Sequence, residues 1–236
     1  MAEKIIGVIG GSGLYQMDGL DVTEKVTIKT PYGYPSDQII LGNLRGKKMA
    51  FLPRHGVGHF IPPSEMRIST FFTTGMVGHV SLADPICRET CAVLYEAGKK
   101  AGATVHKGGT YICIEGPQFS TRAESNIYRQ WGVDVIGMTN VTEAKLAREA
   151  GLCYSTLALV TDYDCWHIEE EPVTLEAVLK IMHQNVERAK QVINELVPLM
   201  DSVEPCCCAD AAKQAVVTES AKIPEKLKKD LSILFN

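Results

Sequence analysis

Between residues 109 and 200, short apolar runs alternate with segments of helical spacing, and this alternation limits the possible folds more than any other feature. GTYICIEG (109–116) is strand-like, and STRAESNIYRQWG (120–132) follows as a helix with Ser120 or Thr121 as its cap. VDVIGM is the next strand, VTEAKLAREAG the next helix, and LCYSTLALVTDYD (152–164) a further strand. The longest periodic segment, Val173–Met200, reads as an amphipathic helix entered after Pro172, since proline suits a helix start. Strands joined by crossover helices predict an α/β fold: a single domain with a mixed, largely parallel central sheet flanked by helices.

The first half is consistent with this. KIIGVIGGSGLY opens with a buried strand (Lys4–Ile9) running into a glycine turn. VTEKVTIKT and DQIILGNLRGKKMAFLP are strand-like, with Gly42–Asn43 and Arg45–Gly46 as hairpin punctuation. Residues 83–102 have helical spacing, with Gly102 as the stop. The expected division is a main domain over 1–205 and a cysteine-containing tail over 206–236.

A net charge of −4 argues against a nucleic-acid or anionic-membrane surface, either of which needs a basic face. No apolar stretch reaches the roughly 18 residues of a membrane span, so the expected location is the cytoplasm. Of eight cysteines, Cys87, Cys91, Cys113, Cys153 and Cys165 lie in apolar stretches and read as small buried hydrophobes. Cys206, Cys207 and Cys208 are adjacent, but no second Cys/His pair follows them, so the expectation is no metal. Redox cross-linking and an inert tethered tail are the readings left open, the latter being the simpler.

In sheets of this class, ligands collect at the carboxyl ends of strands. Five stretches there carry chemistry. GGSG (10–13) is either an anion nest including Ser12 or a plain tight turn. PRHGVGHF places Arg54, His55 and His59 after a strand; a guanidinium fork and an imidazole suit phosphate, and the alternative is a solvated basic turn. Phe119 can stack a base or close the core, and Met138–Thr139 has the same two readings. Asp162 and Asp164, two apart at a strand end, share a face if the strand persists. Such a pair can hold one proton between them near neutrality, or can simply cap a turn.

Taken together, GVIGGSGLY, TPYGYPSD, PRHG, GHVSLADPIC, TYICIEGPQFSTRAES, IGMT and ALVTDYDCW resemble the trimer-forming branch of the purine nucleoside phosphorylase superfamily. Within it the chain is most similar to the 5′-methylthioadenosine phosphorylases. The resemblance implies phosphorolysis of the thionucleoside, in which phosphate attacks C1′ while Asp162 protonates the departing purine at N7 and Asp164 accepts from the 6-amino group. It implies that Ser12, Arg54, His55 and Thr139 hold phosphate, Phe119 stacks on the purine, and Met138 packs under the ribose. His79 is implied as a residue lent to the 5′-methylthio pocket of a neighbouring subunit in a homotrimer or hexamer; His59 and Thr161 are lesser members of the site. Related 6-oxopurine enzymes carry glutamate and asparagine where this chain has Ser120 and Asp162, so adenine is the implied base. Purine nucleosides or methylthioinosine are the alternative substrates. No cofactor or metal is implied, phosphate being a co-substrate.

One departure is large. After IPPSE (61–65) the similar proteins continue through a strand–helix–strand unit, whereas here Met66 runs directly into RISTFFTTG. That unit of roughly 30 residues or more would supply a central strand and part of the phosphate cradle. Its excision should leave a hole in the sheet and expose apolar edges on both flanks, and it raises a further alternative, a nucleoside-binding protein without catalysis.

Overall fold

The computed structural model describes residues 4–11, 14, 16–58, 60–62, 65, 70–167, 175–204 and 206–235. The order of elements is β1 (Ile6–Gly10), β2 (Asp21–Val26), β3 (Ile39–Leu44), β4 (Lys47–Pro53), α1 (Arg88–Lys100), β5 (Tyr111–Cys113), α2 (Arg122–Gln130), β6 (Val135–Gly137), α3 (Asn140–Glu149), α4 (Leu175–Leu199) and α5 (Glu225–Asp230). This is the expected mixed α/β architecture, but its sheet is in two pieces. One has the order β1-β4-β3-β2, the other is β5-β6.

The first piece grows from a hairpin. Arg45 (φ 48°) and Gly46 (φ 77°) both take the left-handed conformation that a tight two-residue loop demands, and Leu44 pairs with Lys47 across it. Gly42–Asn43, the other expected punctuation, instead lies inside β3, opposite Met49 and Lys48. A side chain at Gly42 would meet the Asp21 carbonyl at 2.7 Å, so glycine permits the close approach of β2. β1 joins β4 in parallel.

Every second residue of β3 is buried, and so are Met49 and Phe51 of β4. α4 lies across this face and contributes Ile193 and Val197. Arg45–Glu195 and Lys47–Asp201 ion pairs tie the hairpin to the end of α4. Each apolar side chain fully buried in this core is worth about 1.5–3 kcal/mol. A second core forms where Phe72 and Met76 meet the C-terminal residues Ala212, Ala215, Ile223, Leu231 and Leu234. The residues after 205 are therefore packed, and Val217 donates its N–H to the Val77 carbonyl.

The predicted strand 152–164 is a correction. Residues 152–160 have no ladder partner, and Leu159 and Val160 are exposed. On the other side β1 is an edge, with Ile5 and Ile9 exposed. An apolar run becomes a strand only if a neighbour supplies hydrogen bonds, and among the described residues no strand lies alongside this one. The Met66–Arg67 junction lies outside the described residues.

Candidate functional site

Arg54 sits where β4 ends. Its N–H donates to the Gly10 carbonyl at 2.9 Å, which sets the Arg54–His55 turn against the glycine turn after β1. Two residues of TPYGYPSD brace that turn. Ser36 donates to the Pro53 carbonyl at 2.7 Å, and the Asp37 carboxylate accepts from the N–H groups of Val57 and Gln38, both at 2.7 Å. These backbone bonds, Val57 first, hold the Asp37 carboxyl below its usual range. The Nδ1 of His55 lies 2.8 Å from the Ile61 carbonyl, which can only accept, so that nitrogen carries a proton. Ser12 and His59 lie outside the described residues.

The guanidinium of Arg54 is gripped by Glu143 of α3. Nε meets Oε1, and Nη2 donates to Oε2 at 3.0 Å, a fork-on-fork pair. Burial alone would depress the Arg54 pKa, but the hydrogen bond and charge of Glu143 outweigh it and hold the guanidinium above its usual value. With Nε and Nη2 committed, Nη1 makes no hydrogen bond among the described residues and can serve an anion. The Tyr154 hydroxyl lies 2.9 Å from both Glu143 Oε2 and Asn140 Oδ1, and Thr156 donates to Asn140 Oδ1 at 2.7 Å. This network crosses the break in the sheet. Glu143, Ser36 and Asp37 had no assigned role in the sequence, because an acid in a helix and a polar turn read first as solvated positions.

Thr139, at the N-cap position just before α3, is buried, and its carbonyl accepts from Glu143 N at 3.2 Å. Met138 precedes it and packs on Gly116 (φ 72°), where an added Cβ would meet the methionine sulfur at 2.6 Å. Three residues further, Phe119 is 87% exposed, so it presents its ring instead of closing the core. The Ser120 hydroxyl is buried and has no hydrogen-bond partner among the described residues. Thr121, not Ser120, caps α2, in a reciprocal capping box with Glu124.

Cys165 Sγ approaches the Ser120 carbonyl at 3.5 Å and brings the aspartate segment to the Phe119 loop. The Arg129 guanidinium of α2 lies 3.8 Å from the Trp166 ring centroid, and Tyr163 stacks on His167. Asp162 is exposed and accepts from the Thr161 hydroxyl at 2.7 Å; the Asp164 carboxylate accepts from Cys165 N at 2.8 Å. Asp162 stands on a bend, Asp164 two residues beyond it, and neither is on a strand-end face. Neither is bonded to Arg54. The two halves are linked instead through α3: Met138, just before it, packs on Gly116 of the Phe119 loop, and Glu143 reaches Arg54 one turn later. His79 is apart from both, exposed in a cavity of about 450 Å³ with Lys145 and Glu149, its N–H bonded to the Ala215 carbonyl at 2.9 Å.

Residues 60–198 match the family described as Phosphorylase superfamily. The chain is 44% identical to S-methyl-5′-thioadenosine phosphorylase of Geobacter sulfurreducens, over 99% of this chain and 98% of that protein. That alignment extends over 281 positions, against 236 residues here, so the relative holds a segment without a counterpart in this chain. The crystal structure of a methylthioadenosine phosphorylase from an antarctic soil metagenomic library superposes with a TM-score of 0.92 at 42% identity, covering 99% of each chain. A variant of the Schistosoma mansoni adenosine/methylthioadenosine phosphorylase, solved with methylthioadenosine bound, has a TM-score of 0.74 at 26% identity, covering 99% of this chain and 98% of that one. The chain belongs to the phosphorylase superfamily and, within it, to the S-methyl-5′-thioadenosine phosphorylases.

Proposed function

We propose that the protein is a pentosyltransferase that splits 5′-methylthioadenosine with phosphate, releasing adenine and 5-methylthioribose-1-phosphate, in purine and methionine salvage. The observation that carries this reading is the joining of the two halves by α3. The helix starts under the Phe119 loop and, through Glu143, aims the Arg54 guanidinium. Relatives named for the same activity support it.

In this reading Arg54, His55, Thr139 and Ser12 hold phosphate, and Phe119 stacks on the purine while Met138 packs against the ribose. As the glycosidic bond lengthens, positive charge builds on the sugar and the phosphate anion stabilises it. Asp162 delivers a proton to N7 of the leaving base, and Asp164 accepts from its 6-amino group. The buried, unpartnered Ser120 hydroxyl is a polar group for the base edge to satisfy. A 6-oxopurine would set its oxygen against a carboxylate, which disfavours it. No organic cofactor enters the chemistry. His79, exposed away from the other residues, is assigned to the 5′ pocket of an adjacent copy in a homotrimer or hexamer. The catalytic unit is 1–205, with 206–236 packed against it as a tail. The location is the cytoplasm, with no nucleic-acid or membrane partner; among the described residues no helix is long and apolar enough to cross a membrane.

The edge position of β1 favours one other reading, a nucleoside-binding protein without turnover, since the absent strand would stand next to the anion turn. One experiment separates the two. Adenine release from 5′-methylthioadenosine is measured with and without phosphate, alongside calorimetry with adenine. Phosphate-dependent release establishes the enzyme; adenine binding with no release establishes the binding protein.

A further inference from the structure

Away from the candidate site, four sulfurs converge. Cys87 stands before α1, Cys153 begins the unpaired stretch after α3, and Cys206 and Cys208 belong to the tail; their Sγ atoms all lie within 4.8 Å of one another. Cys206 Sγ is 3.2 Å from that of Cys153 and 3.8 Å from that of Cys87. Four zinc–sulfur bonds of about 2.3 Å in a tetrahedron set the sulfurs roughly 3.8 Å apart. A disulfide needs sulfurs about 2.05 Å apart, and all eight cysteines are free.

We propose that Cys87, Cys153, Cys206 and Cys208 form a structural site for one borderline-soft divalent cation, zinc foremost. The tail trio had no second pair nearby in the sequence; the fold supplies it from residues 119 and 53 positions before Cys206. Four sulfur donors select against magnesium and calcium, which take oxygen. A complete set of four leaves no position for water, so the role is structural and not catalytic. Binding replaces four thiol protons by four metal–sulfur bonds with no change in oxidation state. This includes the proton that the Cys87 thiol directs at Glu89 Oε2, 3.3 Å away. The product carries two negative charges. A buried cation is already at hand: Arg148 Nη1 lies 3.6 Å from Cys208 Sγ, and its Nη2 is anchored on the Asp84 carbonyl.

The site ties together three segments that share no β-ladder. Cys87 N donates to the Tyr154 carbonyl at 2.8 Å, so an ion here clamps the stretch whose Tyr154 side chain reaches Glu143.

The test is elemental analysis of the full chain, purified under reducing conditions and washed with chelator, together with cobalt(II) titration of chelator-stripped protein. One zinc ion per chain is expected, and stripped protein should take up one equivalent of cobalt with thiolate-to-metal charge-transfer absorption and the visible bands of tetrahedral cobalt. Cys206→Ser with Cys208→Ser should lose the ion, while Cys207→Ser, outside the cluster, keeps it. Should the double variant not fold, the cobalt titration of the unaltered chain decides. The proposal is overturned if reduced protein supplied with zinc or cobalt binds neither, if the spectrum lacks thiolate bands, or if mass analysis finds the four cysteines joined as two disulfides. Metal content is read without an activity assay, so it stands or falls separately from the phosphorylase reading.

Discussion

Glu143 holds Arg54 from across the break in the sheet, with Nη2 to Oε2 at 3.0 Å and the second arm of the fork closed at Nε. The glutamate side chain is 6% exposed and the arginine 27%. Breaking a buried pair costs about 3–5 kcal/mol, and the exposure of Arg54 lowers the expected cost of Glu143→Ala to about 2–3 kcal/mol. The released guanidinium also loses its aim. The KM for phosphate should rise about tenfold, equivalent to about 1.4 kcal/mol, with a smaller change in the KM for nucleoside. Phosphate kinetics on Glu143→Gln, which preserves shape, make the check; an unaltered phosphate KM removes Glu143 from this role.

Phe119 separates folding from binding. At 87% exposure it contributes little to the core, so Phe119→Ala should leave stability within about 0.5 kcal/mol of the parent. Loss of a stacking partner for a base is worth about 1–3 kcal/mol, so nucleoside affinity should fall by roughly tenfold or more. Thermal unfolding and adenine calorimetry on the same sample measure both.

Asp162 is exposed and, among the described residues, is held by the hydroxyl of its neighbour Thr161, so its replacement leaves the fold intact. Asp162→Asn abolishes proton delivery, a contribution of about 100-fold or more. The amide also offers a donor to a 6-oxopurine, so the ratio of inosine to adenosine turnover should rise. Equal rates and equal selectivity would clear Asp162 of the assignment.

Tyr154 makes stability depend on pH on the alkaline side. Burial, followed by the Glu143 charge, raises its phenol well above the ordinary value of 10.0. Raised in the folded state, the group contributes stability that is complete below about pH 10 and is lost as pH rises through the folded-state pKa. Denaturant midpoints between pH 8 and about 11 should therefore fall less steeply in Tyr154→Phe than in the parent. Parallel curves would show that another group governs the alkaline limb.

Local chemistry was legible in the sequence wherever one short segment decides the outcome. Arg45–Gly46 closes a hairpin and Gly102 (φ 68°) ends α1, and of the two expected caps of α2, Ser120 or Thr121, it is Thr121 that serves. Residues 152–164 were misread because an apolar run reports burial potential, while a strand also needs a neighbour, and among the described residues none lies alongside. Arg54 and Thr139 were visible as residues at strand ends and Phe119 as a loop residue before α2, whereas the strand end expected beneath the two aspartates is not there. Their link was not visible: Glu143 reads as one more acid on a helix until the fold sets it 89 positions from its partner. The cysteine quartet was hidden for the same reason, since two of its members look like ordinary small apolar residues far from the tail.

The bare flank of β1 has a practical consequence for handling the protein. Among the described residues β1 is the last strand of its sheet, and this edge beside exposed Ile5 and Ile9 is a template on which a second extended chain can crystallise its own backbone. Refolding yield should consequently drop with rising protein concentration, and dilute, slow renaturation is the regime in which this polypeptide survives its own stickiness.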